Sequence, residues 1–269
     1  MTTPKLPVVI AGAGPCGLVA AITLQKEGVV PFVIVEHAAR KPLCSNVGSG
    51  FDLAPTAIDI LKNRLEIPDM DKGFDSYGGM YMCNMEGKPL RKCTMAAISK
   101  DYVALSVNRA AMQECFLKFL LANEQEKTED FDEMSILKCG VEVTGYEEHD
   151  ETESVTVELS NGSNIVGSVL LGCDGIHLAV HRSMMTSLPA PVKDDPLHFC
   201  NTVCWWGKTE LRADTEFFKA LEATQEHLEE GSSFVWALGD GKHPGTFMCA
   251  PCGDTLMWAF LVESLEEPH

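Results

Sequence analysis

Residues 7–36 constrain the chain more than any other stretch, because they read as strand, tight turn, helix and a second strand ending in an acid. Pro7-Val8-Val9-Ile10-Ala11 is a short apolar run suited to a buried parallel strand. It leads directly into Gly12-Ala13-Gly14-Pro15-Cys16-Gly17, a GxGxxG turn. In such a turn the first glycine allows the tight bend and the second lets a pyrophosphate approach the backbone. The third lets helix and strand pack closely. Pro15 suits a first helical turn, Leu18, Ala21, Ile22 and Gln25 follow at helical spacing, and Gly28 supplies a C-terminal cap. Phe32-Val33-Ile34-Val35 is a second buried strand. Glu36 follows it, about twenty residues past the glycines, where an acid accepts hydrogen bonds from both ribose hydroxyls of an adenosine. The unit predicts nucleotide binding.

The 269 residues suffice for one large or two modest domains, and 45% hydrophobic with 22% charged content is that of a soluble globule. A formal net charge of −18, with no basic patch, argues against a nucleic-acid or anionic-membrane partner. Residues 6–25 carry no charge, but their glycines and proline stand in nucleotide-turn order, so no membrane span is expected there and no transit peptide before the first strand. Eleven scattered cysteines, an odd count without a repeating framework, point to a reducing, cytoplasmic compartment. Cys16, Cys139 and Cys173 are expected as small hydrophobes beside apolar strands. Cys249-Ala250-Pro251-Cys252 is a CxxC without a surrounding βαβ pattern or a second pair, so neither redox chemistry nor zinc is expected of it. His177 and His181 are spaced like metal ligands but lack a carboxylate partner, and no metal is expected.

Further along, a turn-rich loop at 42–50 precedes a helix over 55–65, and 77–94 reads as a hairpin about Glu86-Gly87-Lys88. Val103-Ala104-Leu105-Ser106-Val107 is a strand, and Asn108 is an N-cap for a helix over 110–122 with Met112, Cys115, Phe116, Phe119 and Leu120 on its apolar face. A polar loop is expected over 123–130, then strands over 134–144, 154–159 and 164–171, with Asn161-Gly162 as a hairpin turn. Beyond Pro189 the pattern becomes β-rich, with strands over 234–238, 246–250 and 256–262. One helix, marked by Phe218, Leu221 and Leu228, is ended by Gly231. Trp205 and Trp206 are expected as sheet packing.

Three motifs in order resemble the single-component FAD-dependent monooxygenases of the p-hydroxybenzoate hydroxylase and salicylate hydroxylase type. The first is the glycine turn with Glu36. The second is Asn46-Val47-Gly48-Ser49-Gly50-Phe51-Asp52-Leu53-Ala54-Pro55-Thr56-Ala57, similar to the segment that the family places beside the flavin. The third is Gly172-Cys173-Asp174-Gly175-Ile176-His177, similar to the family's DG motif. Asn108-Arg109 stands where the family has an arginine that contacts FAD, and Asp52 falls near the flavin or in a solvated loop. The chain departs from the pattern at Leu178 and His181, where the family carries serine and arginine, with Arg182 one step further on. It also lacks the later GD motif. Gly239-Asp240-Gly241 sits in an expected β-turn, so a truncated family member or an incomplete gene model is expected.

The resemblance implies an α/β fold, a Rossmann-type, glutathione-reductase-like FAD-binding domain over 1–75 and 102–186. A β-rich substrate domain is inserted at 76–101 and 187–269. It implies bound FAD held by Gly12, Ala13, Gly14, Pro15, Gly17, Glu36, Arg109 and Asp174, with catalytic residues unassigned. NAD(P)H reduces the flavin, O2 is captured as a flavin hydroperoxide, and a small hydrophobic or aromatic substrate is hydroxylated or epoxidised. That chemistry resides in the flavin, which explains why no triad or metal cluster is evident. The alternative is a non-catalytic FAD-binding remnant or interaction module. A pyridine nucleotide–disulfide oxidoreductase is discarded, because Cys44 is followed five residues later by Ser49 rather than cysteine.

Overall fold

The computed structural model describes residues 5–29, 31–41, 43–45, 50–68, 74–77, 79–94, 103–126, 130–177, 179–187, 199–210, 232–239, 245–252 and 255–264. Asn46 to Ser49 of the second motif, Leu178, Asp240-Gly241 and the expected helix ended by Gly231 lie outside the described residues. The strands are β1 (Val8–Ala11), β2 (Phe32–Glu36), β3 (Gly50–Leu53), β4 (Asp75–Tyr77), β5 (Gly79–Asn84), β6 (Pro89–Thr94), β7 (Ala104–Asn108) and β8 (Leu137–Cys139). They continue as β9 (Val143–His149), β10 (Ser154–Leu159), β11 (Asn164–Gly167), β12 (Val169–Gly172), β13 (Thr202–Glu210), β14 (Ser232–Leu238), β15 (Gly245–Cys252) and β16 (Thr255–Glu263). The helices are α1 (Pro15–Lys26), α2 (Pro55–Asp59), α3 (Arg109–Gln125) and α4 (Ala179–Ser187).

The chain divides into two compact units, Met1–Ser45 with Met112–Leu197 and Asn46–Ala111 with His198–His269. Segments 46–75 and 102–111, expected with the nucleotide-binding part, therefore fall in the second unit. There β3, β7 and β4 pair as one antiparallel sheet.

In the first unit a four-stranded parallel sheet runs in the order β12-β1-β2-β8, as expected for a Rossmann-type α/β fold. All four residues of β1 are buried, and alternation splits them between two covered faces. Val9, Ala11, Val33 and Val35 pack against Val143, Val155, Val157 and Leu159 of the antiparallel sheet β11-β10-β9. Helix α1 covers the other face of β1 and β2. It ends as expected at Gly28, whose φ is +69°, with Val29 N donating to Leu24 O and Gly28 N to Gln25 O, a Schellman arrangement.

Three sequence expectations fail here for local reasons. Residues 134–144 are not one strand: a 3-10 turn (Glu133–Ser135) precedes β8, and Gly140 at φ +77° turns the chain away from the parallel sheet before β9. The expected strand over 164–171 breaks at Ser168, whose N–H donates to Pro7 O, so β11 stays in the hairpin sheet while β12 pairs with β1. The polar segment from 123 is not a loop at its start. Helix α3 runs to Gln125, and Asn123 donates to Gln25 Oε1 while Gln25 Nε2 donates to Leu120 O and Glu124 Oε1. Buried Gln25 thus ties α1 to α3.

The second unit holds a six-stranded sheet in the order β13-β16-β15-β14-β5-β6. The hairpin of β5 and β6 is as expected, although β14 joins β5 in parallel. The helix over 55–65 starts as α2 but widens into a π-helical turn (Ile60–Arg64), with Leu65 N donating to Ile60 O. Trp205 and Trp206 are 53% and 54% exposed on β13, which corrects the expectation that they are packed. Trp205 stacks on Phe260 at 6.2 Å between ring centroids.

Cys249 and Cys252 lie three apart on β15, hence on opposite faces, and Cys249 is buried with Cys83, Val235 and Leu256. Burial pushes the Cys249 thiol up to about 12. The neutral thiol is favoured in the fold, so the stability it contributes is lost as pH rises from about 9 towards about 12. Iodoacetamide at pH 8 should leave Cys249 unmodified in the native protein and alkylate it after denaturation, as read by peptide mass mapping. Native alkylation, or a Cys249–Cys252 disulfide, would contradict this.

Candidate functional site

The glycine turn leaves the C-terminal end of β1, which stands between β2, the next strand in sequence, and β12, the last strand of the sheet. Ligands of open α/β sheets bind at such a point. Gly12 has φ +102°, and a Cβ there would collide with Cys173 O. A Cβ on Gly17 would collide with Gly12 O. Both glycines are therefore required by the protein's own packing. Gly14 is different. Its φ of −65° suits any residue, and nothing lies within 4 Å of where its Cβ would be. Gly14 is also the N-cap of α1, which has Pro15 in its first turn, no acid there and no side-chain cap. The first-turn N–H groups are thus left for an anion.

Glu36 is 5% exposed at the end of β2. Its Oε2 accepts from Ala13 N at 2.7 Å and its Oε1 from Ala38 N at 2.8 Å, with His37 Nδ1 at 2.9 Å from Oε1. Glu36, expected as an acceptor for ribose hydroxyls, thus also holds the turn. Buried Gln113 donates from Nε2 to Ala13 O at 2.7 Å, a residue that sequence reasoning missed. No periodicity signals it, since it stands on the helix beside apolar Met112.

Asp174 follows β12, and Cys173 N donates to Ala11 O, which sets the DG-like segment against the glycine turn. Asp174 Oδ2 accepts from Val180 N at 3.0 Å, anchoring the first turn of α4. Both Asp174 and Gly12 border a small crevice with Ala11, Val35 and His37. Cys173 is half-buried, and burial, then the nearby Cys16, raises its thiol above the ordinary value. Cys16 itself is exposed on α1, against the expectation of a buried hydrophobe. On the outer side of β12 a cleft of about 1110 Å³ is lined by Cys16, Cys173, Asp174, Val169 and His181 among others.

Arg109 belongs to the second unit, where Asn108 Oδ1 accepts from Ala110 N and Ala111 N as the expected N-cap of α3. It lines a cavity of about 430 Å³ with Asp52, Trp206, Met248, Met257 and Trp258. Among the described residues no group of three or more His, Cys, Asp or Glu could hold a metal. No helix there is long and apolar enough to cross a membrane.

No family model matches the chain. It is 26% identical over 212 residues to the dual O-methyltransferase/FAD-dependent monooxygenase CTB3 of Cercospora beticola, which covers 76% of this chain and 22% of that protein. It is 26% identical over 276 residues to the FAD-dependent monooxygenase pynG of Aspergillus niger, covering 93% of this chain and 54% of the relative. Salicylate hydroxylase in a substrate complex superposes with a TM-score of 0.69 at 20% identity, covering 98% of this chain and 58% of that one. PqsL of P. aeruginosa in complex with 2-aminobenzoylacetate gives 0.70 at 15% identity, covering 97% and 61%. The chain thus spans about half or less of the length of these curated relatives. Over most of its own length it is similar to FAD-dependent monooxygenases, and it has the fold of salicylate hydroxylase.

Proposed function

We propose that the chain is the FAD-holding part of a monooxygenase that acts on a small hydrophobic or aromatic compound with NAD(P)H and O2. The observation that carries the reading is Gly14. Neither its backbone angles nor its surroundings require glycine, so what its missing side chain admits is a ligand's pyrophosphate. The uncapped start of α1 supplies N–H donors to that anion, and the buried carboxylate of Glu36 has lone pairs beyond those used by Ala13 and Ala38 for a ribose. Asp174 is assigned to the same cofactor on its position against Gly12, and Arg109 on the resemblance alone. Bound FAD would supply the two-electron and oxygen chemistry. The cavity beside Arg109, with its tryptophans and methionines, suits a planar apolar substrate. The assignment of 1–75 and 102–186 to FAD and of 76–101 and 187–269 to substrate is kept as a proposed functional division, resting on the resemblance and cutting across the two compact units.

A second reading, a nucleotide-binding module without turnover, is favoured by β12. Its outer edge has no strand partner among the described residues and borders the 1110 Å³ cleft. NAD(P)H oxidation that rises with a substrate and yields oxygenated product separates the two readings. FAD release on denaturation without such turnover selects the module.

Gly14→Ala is the sharpest test of the cofactor itself. The φ is compatible and space is free, so stability should be unchanged or rise by roughly 0.4–1 kcal/mol, while FAD affinity in a fluorescence titration should fall about tenfold or more. Gly17→Ala should instead lower the melting temperature, because its Cβ meets the Gly12 carbonyl. Equal FAD affinity of Gly14→Ala and the parent would sink the reading. Glu36→Ala should cost about 1.5–3 kcal/mol of FAD affinity and also stability, since Ala13 N–H loses its buried acceptor. Arg109→Ala should weaken FAD in the same titration.

A further inference from the structure

We infer that Gln113 is a positioning residue for the nucleotide turn, acting with Glu36 as a clamp on the two peptide planes that flank Ala13. The inference rests on the FAD reading above and adds a residue to it. Ala13 stands between the glycine that makes the bend and the glycine that admits the ligand. Its N–H donates to Glu36 Oε2 and its carbonyl accepts from Gln113 Nε2, both at 2.7 Å and both buried. The two partners come from different elements, the end of β2 and the first turns of α3, a hundred residues from the turn in the case of Gln113. Gln113 is 2% exposed and Glu36 5%, so neither bond competes with bulk water.

Gripping the N–H and the carbonyl of one residue fixes the orientation of both peptide planes that flank it. The plane that follows Ala13 carries the N–H of Gly14, the residue whose Cβ position is open. Loss of Gln113 frees that plane to rotate and leaves a buried carbonyl without this donor. The position of Gln113 is itself secured, because α3 is held to α1 through Gln25, Asn123 and Glu124 at its far end. The glycine turn is thereby braced from α3 as well as from β2, and Gln113 never needs to touch the ligand.

The test uses the full chain with Gln113→Leu and Gln113→Glu. A buried carboxyl facing a carbonyl oxygen ionises only well above its ordinary range, and only its protonated form donates. Gln113→Glu should therefore bind FAD about tenfold more weakly than the parent at pH 8 and approach it at pH 5.5. Gln113→Leu should be weak at both. The parent measured over the same range removes the contributions of Glu36, His37, Cys16, Cys173 and Asp174, the ionisable groups around the turn. In ligand-free protein, hydrogen exchange at Ala13 and Gly14 should quicken about tenfold in Gln113→Leu, while amides of β9 to β11 hold their rates. FAD affinity and turn exchange equal to the parent in both variants would overturn the clamp. A parent that takes up no FAD, with turn exchange still quickened by Gln113→Leu, would uphold the clamp and overturn the cofactor reading instead.

Discussion

The first unit depends on one close approach of backbones. Gly12, at φ +102°, lies against Cys173 O, and Gly17 lies against Gly12 O. Neither contact leaves room for a Cβ. Because of them α1 starts immediately above the end of β1, and the chain leaving β12 passes beside the same turn. The parallel pairing of β1 with both β2 and β12 then brings Glu36 and Asp174 to one end of the sheet. The two-sided burial of β1 follows, with Val9 and Ala11 against the hairpin sheet and Val8 and Ile10 on the face towards α1. A side chain at Gly12 would push apart segments distant in sequence, and one at Gly17 would push α1 off the turn that precedes it.

Much of this was legible because each feature had a local cause. Buried strands, a turn demanding glycine, Pro15 at a helix start and Gly28 at its end are fixed by neighbours within a few residues. The hairpin at Glu86-Gly87-Lys88 and the Asn108 cap were legible for the same reason. What could not be read was set at long range. Ser168 ends one strand because its N–H reaches Pro7 O, and nothing near residue 168 announces that. The polar residues Asn123 and Glu124 read as loop, yet helix α3 keeps them because their partner is Gln25. Gln113 was missed for the same reason: a polar residue on an apolar helix looks like a solvated one until the carbonyl it serves is known.

The cysteines show how burial, not spacing, decides chemistry. The CxxC at Cys249 and Cys252 has the spacing of a redox pair, but in an extended strand that spacing sends the two thiols to opposite faces. Desolvation then keeps Cys249 protonated far above neutral pH. At Cys173 the same effect operates more weakly beside the exposed Cys16, on the first turn of a helix with no acid of its own.

Glu36 shows why stability and binding are entangled at such a site. Burying a carboxylate is costly unless its oxygens are satisfied, and here two backbone N–H groups do so before any ligand arrives. Those bonds also orient the carboxylate, so that the lone pairs left over have a fixed direction. The acid is thus preorganised by the turn it supports, and affinity gains because little reordering accompanies binding. The cost is that removing Glu36 perturbs the fold and the site together, so its loss alone cannot report on either. Gly14 separates them. Its carbonyl accepts from Leu18 N, a bond that any residue there would keep, and the lack of a side chain has as its consequence the space left at the start of α1.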